Sequence, residues 1–355
     1  MLTQKINRIC ILRLSAIGDT CNAVVTVQAL QKHFPDASIT WVIGLTEHQL
    51  LDGLEGVEFV KFNKKLGLKA FRNLVKDLKG QEFDVLLHMQ LSFRANMVSF
   101  FINAKRKIGF NWYNSKEFHS LFVNEQIEKQ DKLHVLAAFA GFARHLGVPF
   151  LIDPSERPVW KIPLTKEHKL WAQKMLIPNM RGHFVISPCA SHSERNWSAE
   201  RYAAIADYVA NLGFAVYLCG GATIRESQLA EQINTMAKID LVNLVGRTDL
   251  KQMLALLELS SFILGPDTGT VHLAVAVSTP VIGLYGHSNP ERTGPYTYRK
   301  DYIVEVYNDE LKCQTGKKTS DVPWGTRVKG FDIMDKISVD SVIDKINHLI
   351  TTEGL

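Results

Sequence analysis

The sequence predicts an α/β protein made of two successive Rossmann-like halves, and three observations carry that prediction. Short β-rich runs alternate with helical stretches along almost the whole chain, the pattern of parallel strands joined by crossover helices. The β-rich runs are continuous in Val, Ile and Leu, as expected for strands buried on both faces. The alternation stops once, at a proline-rich crossing, and then restarts. A length of 355 residues suits two domains at roughly 100–200 residues each.

In the first half, strands are expected at 8–14, 38–43, 57–62, 83–89 and 106–110. Helices at about 19–34, 69–79, 93–103 and 132–146 carry apolar residues at helical spacing. Gly147-Val148-Pro149 ends the last of these, and Asp153-Pro154-Ser155, Pro158 and Pro163 make the crossing. In the second half, strands are expected at 183–187, 215–219, 240–244, 261–264 and 281–284. Helices lie between them at about 198–212, 224–238, 249–259 and 270–277. The segment 308–331 has no apolar period and reads as loop. Val339, Val342, Ile343, Ile346 and Ile350 mark a final amphipathic helix. The expected organisation is 1–165, then 166–336, then a helix at 337–355 packing back toward the N-terminal domain.

Composition excludes several classes. Lys+Arg is 41 and Asp+Glu is 36, a net charge of +5, with 46% hydrophobic and 22% charged residues. That is ordinary globular usage, not disorder. The excess is too diffuse for nucleic-acid binding. None of the five Cys forms C-x-x-C, and Cys10 and Cys219 sit in apolar runs as small hydrophobes. The twelve His form no H-E-x-x-H, so no metal site is expected. No apolar run reaches the roughly 18 residues of a membrane span. The apolar run near the N-terminus carries Arg13 and meets Asp19 at once, unlike a signal peptide. A cytoplasmic location is expected.

The loops after the strands carry the chemistry. Neither G-x-G-x-x-G nor Walker A is present, which argues against nicotinamide and P-loop enzymes. The first strand runs instead into Ser15-Ala16-Ile17-Gly18-Asp19. Asp19 has two readings, a helix N-cap or a carboxylate facing a ligand at the strand ends. After the strand at 261–264 come Asp267, Thr268, Gly269, Thr270 and, one turn on, His272. The amides of Thr268, Gly269 and Thr270 would open a helix and form a phosphate cradle. A third loop holds Ser191, Arg195 and Trp197. Arg195 offers a bidentate fork for phosphate, and Trp197 packs the turn. A fourth, Gly220-Gly221-Ala222-Thr223 before Glu226, suits close approach to a ribose.

Together these residues resemble glycosyltransferase family 9, the bacterial lipopolysaccharide heptosyltransferases of GT-B architecture. Ser15 to Asp19 is similar to the family's S-x-x-G-D turn, and Asp267 to Ala274 to its D-[ST]-G-x-x-H-[LV]-A signature. Tyr285-Gly286 with Pro290 resembles its Y-G-x-[ST]-x-P segment. The resemblance covers nearly the whole chain, nearest to members that add the first heptose of the inner core. It implies two Rossmann-like domains facing across a cleft, with ADP-heptose as donor and the Kdo of lipid A as acceptor. It also implies inversion at the sugar and no metal or other cofactor. Asp19 matches the general base. Ser191, Arg195, Asp267, Thr268, Gly269, Thr270 and His272 match the donor site. Arg195 stands where many members have Lys. Thr223 stands where some have a ribose-binding Glu, a role Glu226 would take over. Ser15, Gly18, Lys64, Arg94, Lys116 and His134 match acceptor-side positions.

Such an acceptor is anionic and anchored in a bilayer. Twelve basic residues between 61 and 116, Lys64, Arg94 and Lys116 among them, fit an anionic surface, with Phe71 and Trp112 adding shallow contacts. The enzyme would then be peripheral on the cytoplasmic face of the inner membrane, with no obligate protein partner. Rival readings are a later-acting heptosyltransferase, another sugar-nucleotide transferase, or a nucleotide-binding module without catalysis.

Overall fold

The structure, a computed structural model, describes residues 5–149, 158–297 and 301–355. Asp153-Pro154-Ser155 of the expected crossing lies outside them. The chain divides into two compact units, Met1–Pro163 and Leu164–Leu355.

The first unit holds a six-stranded sheet: β1 (Arg8–Leu12), β2 (Ser38–Gly44), β3 (Val57–Phe62), β4 (Phe83–His88), β5 (Ala104–Gly109) and β6 (Glu125–Gln126). Five helices accompany it: α1 (Ile17–His33), α2 (Leu45–Leu51), α3 (Leu68–Asp77), α4 (Phe93–Phe100) and α5 (Val135–His145). Every strand pair is parallel, and the order is β3-β2-β1-β4-β5-β6. That is the Rossmann order, with its switch between β1 and β4. Cys10, Leu12, Val42 and Leu86 of the strands bury one face against Leu74 and Leu78 at α3. Gly44 ends β2 where a side chain has no room. A Cβ there would lie 2.2 Å from the Leu14 carbonyl oxygen.

The second unit repeats the plan. Its strands are β7 (Gly182–Ile186), β8 (Phe214–Leu218), β9 (Val242–Asn243), β10 (Phe262–Pro266), β11 (Val281–Tyr285) and β12 (Ile303–Glu305). Helices α6 (Lys166–Met175), α7 (Ala199–Asn211), α8 (Ile224–Met236), α9 (Leu250–Glu258) and α10 (Gly269–Ala276) accompany them. Then follow α11 (Pro290–Thr293), α12 (Tyr307–Thr315) and α13 (Val339–Glu353). The order β12-β11-β10-β7-β8-β9 is the same Rossmann order, with its switch between β7 and β10.

Two expectations are corrected. The stretch 308–331 is not all loop, because α12 occupies its start. Only Tyr307 and Leu311 of that helix are buried, too few for a visible period. The terminal helix α13 packs on α7, β11 and β12 of its own unit. Its Val342, Ile346 and Leu349 are buried, and Asn347 Oδ1 accepts from the Tyr208 hydroxyl at 2.7 Å. Phe71 is no free membrane contact. It is half-buried, with ring centroids 5.2 Å from Phe62 and 5.8 Å from Phe101, whereas Trp112 is exposed.

Beneath α4 lies a buried polar knot. Asn96 Nδ2 donates to the Glu117 carbonyl at 2.7 Å, which fixes its Oδ1 as an acceptor. His88 Nε2 (3.0 Å) and His119 Nδ1 (3.2 Å) both donate to that oxygen. His119 Nε2 accepts the Phe110 amide at 3.1 Å, so the ring is neutral. Burial lowers the His119 pKa from 6.5 to about 4. The unfolded chain therefore takes up this proton first. The stability contributed is complete above about pH 6.5 and lost progressively down to about pH 4. Denaturant titrations at pH 7 and about pH 5.5 should differ by roughly 1 kcal/mol or more from this ring. An NMR titration in which folded His119 charges near pH 6.5 would contradict this account.

Candidate active site

Each Rossmann order places a crevice at the carboxyl ends of the strands where the order switches, and the polar residues gather there. In the first unit, Gln90, two residues past β4, ties down the turn that follows β1. Its Oε1 accepts the amides of Leu14 (2.7 Å) and Ser15 (3.2 Å). Its Nε2 donates to the hydroxyls of Ser15 (3.3 Å) and Ser92 (3.2 Å).

Ala16 is the N-cap of α1 and Gly18 is buried in its first turn. Asp19 is therefore not the capping residue. It lies inside the first turn, and its carboxylate pairs with the Arg13 guanidinium. The Asp19 side chain is 37% exposed and that of Arg13 10%. Arg13 is held on two further sides. Nη1 donates to the Met89 carbonyl at 2.5 Å, and the guanidinium lies 5.1 Å from the Phe139 ring centroid, a cation–π distance. A half-buried carboxylate thus stands at the strand edge with its orientation set by a nearly buried cation. In the first turn of α2, burial pushes the Glu47 carboxyl up, against the opposing fields of Lys64 and Arg13.

The other acceptor-side candidates stand on other elements. Lys64, Arg94 and Lys116 are exposed. His134 is buried as the N-cap of α5, where Nδ1 accepts the Leu136 amide at 3.1 Å.

In the second unit the switch joins the loop after β7 to the loop after β10. Arg195 is buried. Its Nη1 donates to Asp267 Oδ2 (2.9 Å) and to the Asp267 carbonyl (3.0 Å), and Nη2 to Ser191 Oγ (2.6 Å). Ser288 Oγ donates to Asp267 Oδ2 at 2.6 Å. The Arg195 fork is thus not wholly free for a phosphate, because Asp267 occupies one edge of it. Asp267 is likewise not a helix cap, since its side chain serves Arg195 and Ser288.

Thr268 is the N-cap of α10 and its side chain makes no cap bond. The first-turn amides, beginning at Gly269 and Thr270, point out of the helix without an intrahelical acceptor, as a phosphate cradle requires. His272 is buried one turn further in. Trp197 packs the turn as expected, fully buried, with Nε1 donating to the Ile337 carbonyl at 3.0 Å.

Thr223 and Glu226 form the capping box of α8. Glu226 Oε1 accepts the Gly221 amide (2.8 Å), and Oε2 accepts the Thr223 hydroxyl (2.5 Å). Arg225 Nη2 donates to the Ala190 carbonyl at 2.7 Å, which ties this helix start to the Ser191 loop.

Sequence reasoning missed Arg13, Gln90, Ser288 and Arg225. Arg13 and Gln90 had a signal, being polar residues at the ends of buried strands. Ser288 lies inside the Tyr285–Pro290 segment already singled out. Among the described residues, no group of three or more His, Cys, Asp or Glu is placed to hold a metal ion.

Two all-parallel, Rossmann-ordered units with polar strand-end loops define the GT-B class of glycosyltransferase fold. A glycosyl transferase family 9 structure from Veillonella parvula DSM 2008 shares it at a TM-score of 0.79. There the identity is 19%, over 98% of this chain and 99% of that one. The E. coli heptosyltransferase WaaC with ADP gives 0.73, at 16% identity over 96% of this chain and 99% of that one. At these identities the likeness establishes the fold.

Sequence settles the family. The profile of glycosyltransferase family 9 (heptosyltransferase) matches residues 71–322. The lipopolysaccharide core heptosyltransferase OpsX of Haemophilus influenzae is 38% identical over 349 residues, 98% of this chain and 99% of the relative. The chain belongs to glycosyltransferase family 9, the heptosyltransferases.

The α8 start gives a test of role. If the Thr223–Glu226 box is structural only, Glu226→Ala lowers stability by about 1 kcal/mol and leaves ADP affinity unchanged. A loss of ADP affinity with the melting temperature intact would assign Glu226 to the ribose.

Proposed function

We propose that this heptosyltransferase moves L-glycero-D-manno-heptose from ADP-heptose to the Kdo of lipid A, with inversion at the anomeric carbon. The 38% identity to a lipopolysaccharide core heptosyltransferase along nearly the whole chain carries this reading. The strand-end chemistry supports it. Leaving diphosphate gathers negative charge in the transition state, so fixed donors aimed at it contribute most. The first-turn amides of α10, the hydroxyls of Thr268 and Thr270, and the Arg195–Ser191 pair supply such donors. Asp267 holds Arg195 in place, and His272 stands behind the cradle.

In this reading the acceptor hydroxyl attacks the anomeric carbon as the bond to ADP breaks, and Asp19 takes its proton. Arg13 keeps that carboxylate aimed at the turn. Ser15, Gly18, Lys64, Arg94, Lys116 and His134 remain the candidate acceptor contacts, with His134 acting through its cap rather than as an open side chain. Because the donor diphosphate is neutralised by protein groups, transfer needs no metal ion. No helix among the described residues is long and apolar enough to cross a membrane. The enzyme reaches its lipid-anchored acceptor from the cytoplasmic face of the inner membrane, with no nucleic acid and no obligate protein partner.

Transfer to Kdo–lipid A should occur with ADP-heptose, not with GDP- or UDP-sugars, and should be unaffected by EDTA. Preference for another nucleotide sugar would refute the donor assignment. Asp19→Ala should lower kcat by about 10²–10⁴-fold with ADP affinity nearly unchanged. Turnover close to wild type would reduce Asp19 to a structural partner of Arg13. Arg195→Ala should weaken ADP binding roughly 10–100-fold, and unchanged calorimetric affinity would remove Arg195 from the donor site.

A further inference from the structure

The stretch from residue 61 to 116 holds twelve Lys and Arg against three Asp and Glu, a local +9 in a chain whose total is +5. Helix α4 lies within it and is apolar on the wrong side. A surface helix normally turns its largest apolar residues inward. α4 buries Ala95, Asn96, Val98 and Ser99 and leaves Phe93 57% and Phe100 68% exposed. These two stand at i and i+7 with half-buried Met97 at i+4, so they form one stripe along the helix. Asn96 flanks this stripe, and its hydrogen bonds to His88, His119 and Glu117 hold the adjoining buried face of Ala95, Val98 and Ser99 inward, which keeps the stripe outward.

The stripe continues at both ends. Phe100 stacks edge-on against Phe101 at 5.4 Å. At the other end the Phe93 amide donates to the Glu117 carboxylate at 2.5 Å, and the next residue, Phe118, is 73% exposed. An exposed aromatic run of this length marks an interaction surface rather than scattered surface apolar groups. Cations border it. Arg94 is on α4 itself, and Lys116 lies two residues before Phe118. Lys69, Arg72 and Lys76 are exposed on α3, which reaches the stripe through the Phe71–Phe101 contact at 5.8 Å.

We propose that this face of the first unit docks on an anionic lipid bilayer, with the α4 aromatics entering the headgroup layer and the α3 and α4 cations meeting lipid charge. Aromatic rings beside Lys and Arg are the side chains that favour a bilayer interface, and clustered cations are drawn to anionic leaflets. A second copy is a poor occupant, because the same +9 stretch would face itself. The proposal rests on the acceptor reading only in expecting a lipid-borne partner. Its test uses neither sugar nucleotide nor acceptor, so failed heptose transfer and failed docking are separate results.

The experiment is sedimentation of the full chain with vesicles of phosphatidylcholine alone, or with about one-third phosphatidylglycerol. The wild type should bind the anionic vesicles, more weakly as salt rises, and not the neutral ones. Phe93→Ser with Phe100→Ser should lower vesicle affinity about tenfold or more, with ADP affinity and the melting temperature retained. Lys69→Glu with Lys76→Glu, both exposed and outside the site, should do the same and flatten the salt dependence. Wild-type binding by either double variant, or equal binding to neutral vesicles, would overturn the proposal. So would self-association of the wild type that the Phe pair abolishes, since a second copy would then cover the stripe.

Discussion

Parallel strands cannot be joined by hairpins, so each connection must cross over the sheet and return to the same edge. When the fourth strand of a unit is laid on the far side of the first, the loops after those two strands are the ones that part. Both units of this chain have that reversal, at β1/β4 and at β7/β10. The loops at those places are therefore polar and short of backbone partners. Gln90 and Arg225 meet that need by bonding backbone groups of the neighbouring loop, so the polar side chains at the strand ends stand on fixed ground.

The same constraint explains why each switch carries an arginine bound to an aspartate. A guanidinium as enclosed as Arg13 or Arg195 is costly to desolvate unless a carboxylate and further acceptors meet it. Arg13 has Asp19 and the Met89 carbonyl. Arg195 has Asp267 through side chain and carbonyl, and Ser191 as well. The two pairs differ in what remains open. At the first the carboxylate is the more exposed member, which leaves a basic oxygen at the surface. At the second the carboxylate is shared between Arg195 and Ser288, which leaves the helix amides as the free polar groups. The one arrangement suits accepting a proton, the other holding an anion.

Much of this was legible in the sequence, because buried parallel strands are written as unbroken Val/Ile/Leu runs and the loops after them as small polar clusters. The central strands of both sheets and the Asp19 and Asp267 turns were readable for that reason. Edge strands such as β6 and β12, two and three residues long, are too short to make a pattern. Helix α12 is hidden by having only two inward side chains. The N-cap reading of Asp19 fails because the helix begins two residues earlier, with Ala16 as its cap. Asp19 pairs with Arg13, six residues back in the same turn, and Asp267 with Arg195 and Ser288, which strand order brings beside it. Glu226 shows the converse. A carboxylate that looked free for a ligand closes its own helix.

The placement of α13 bears on how the molecule comes into being. Everything that completes the first sheet lies within the first 163 residues, so a growing chain can finish that unit while the rest is still being made. The second unit has no such head start. Its outer layer includes Val342, Ile346 and Leu349, Tyr302 needs Glu353, and Arg181 reaches the carbonyl of Leu355. That half of the molecule must wait for α13. Removing α13 as far as Val342 would uncover the outer layer of the second unit while leaving the first sheet complete.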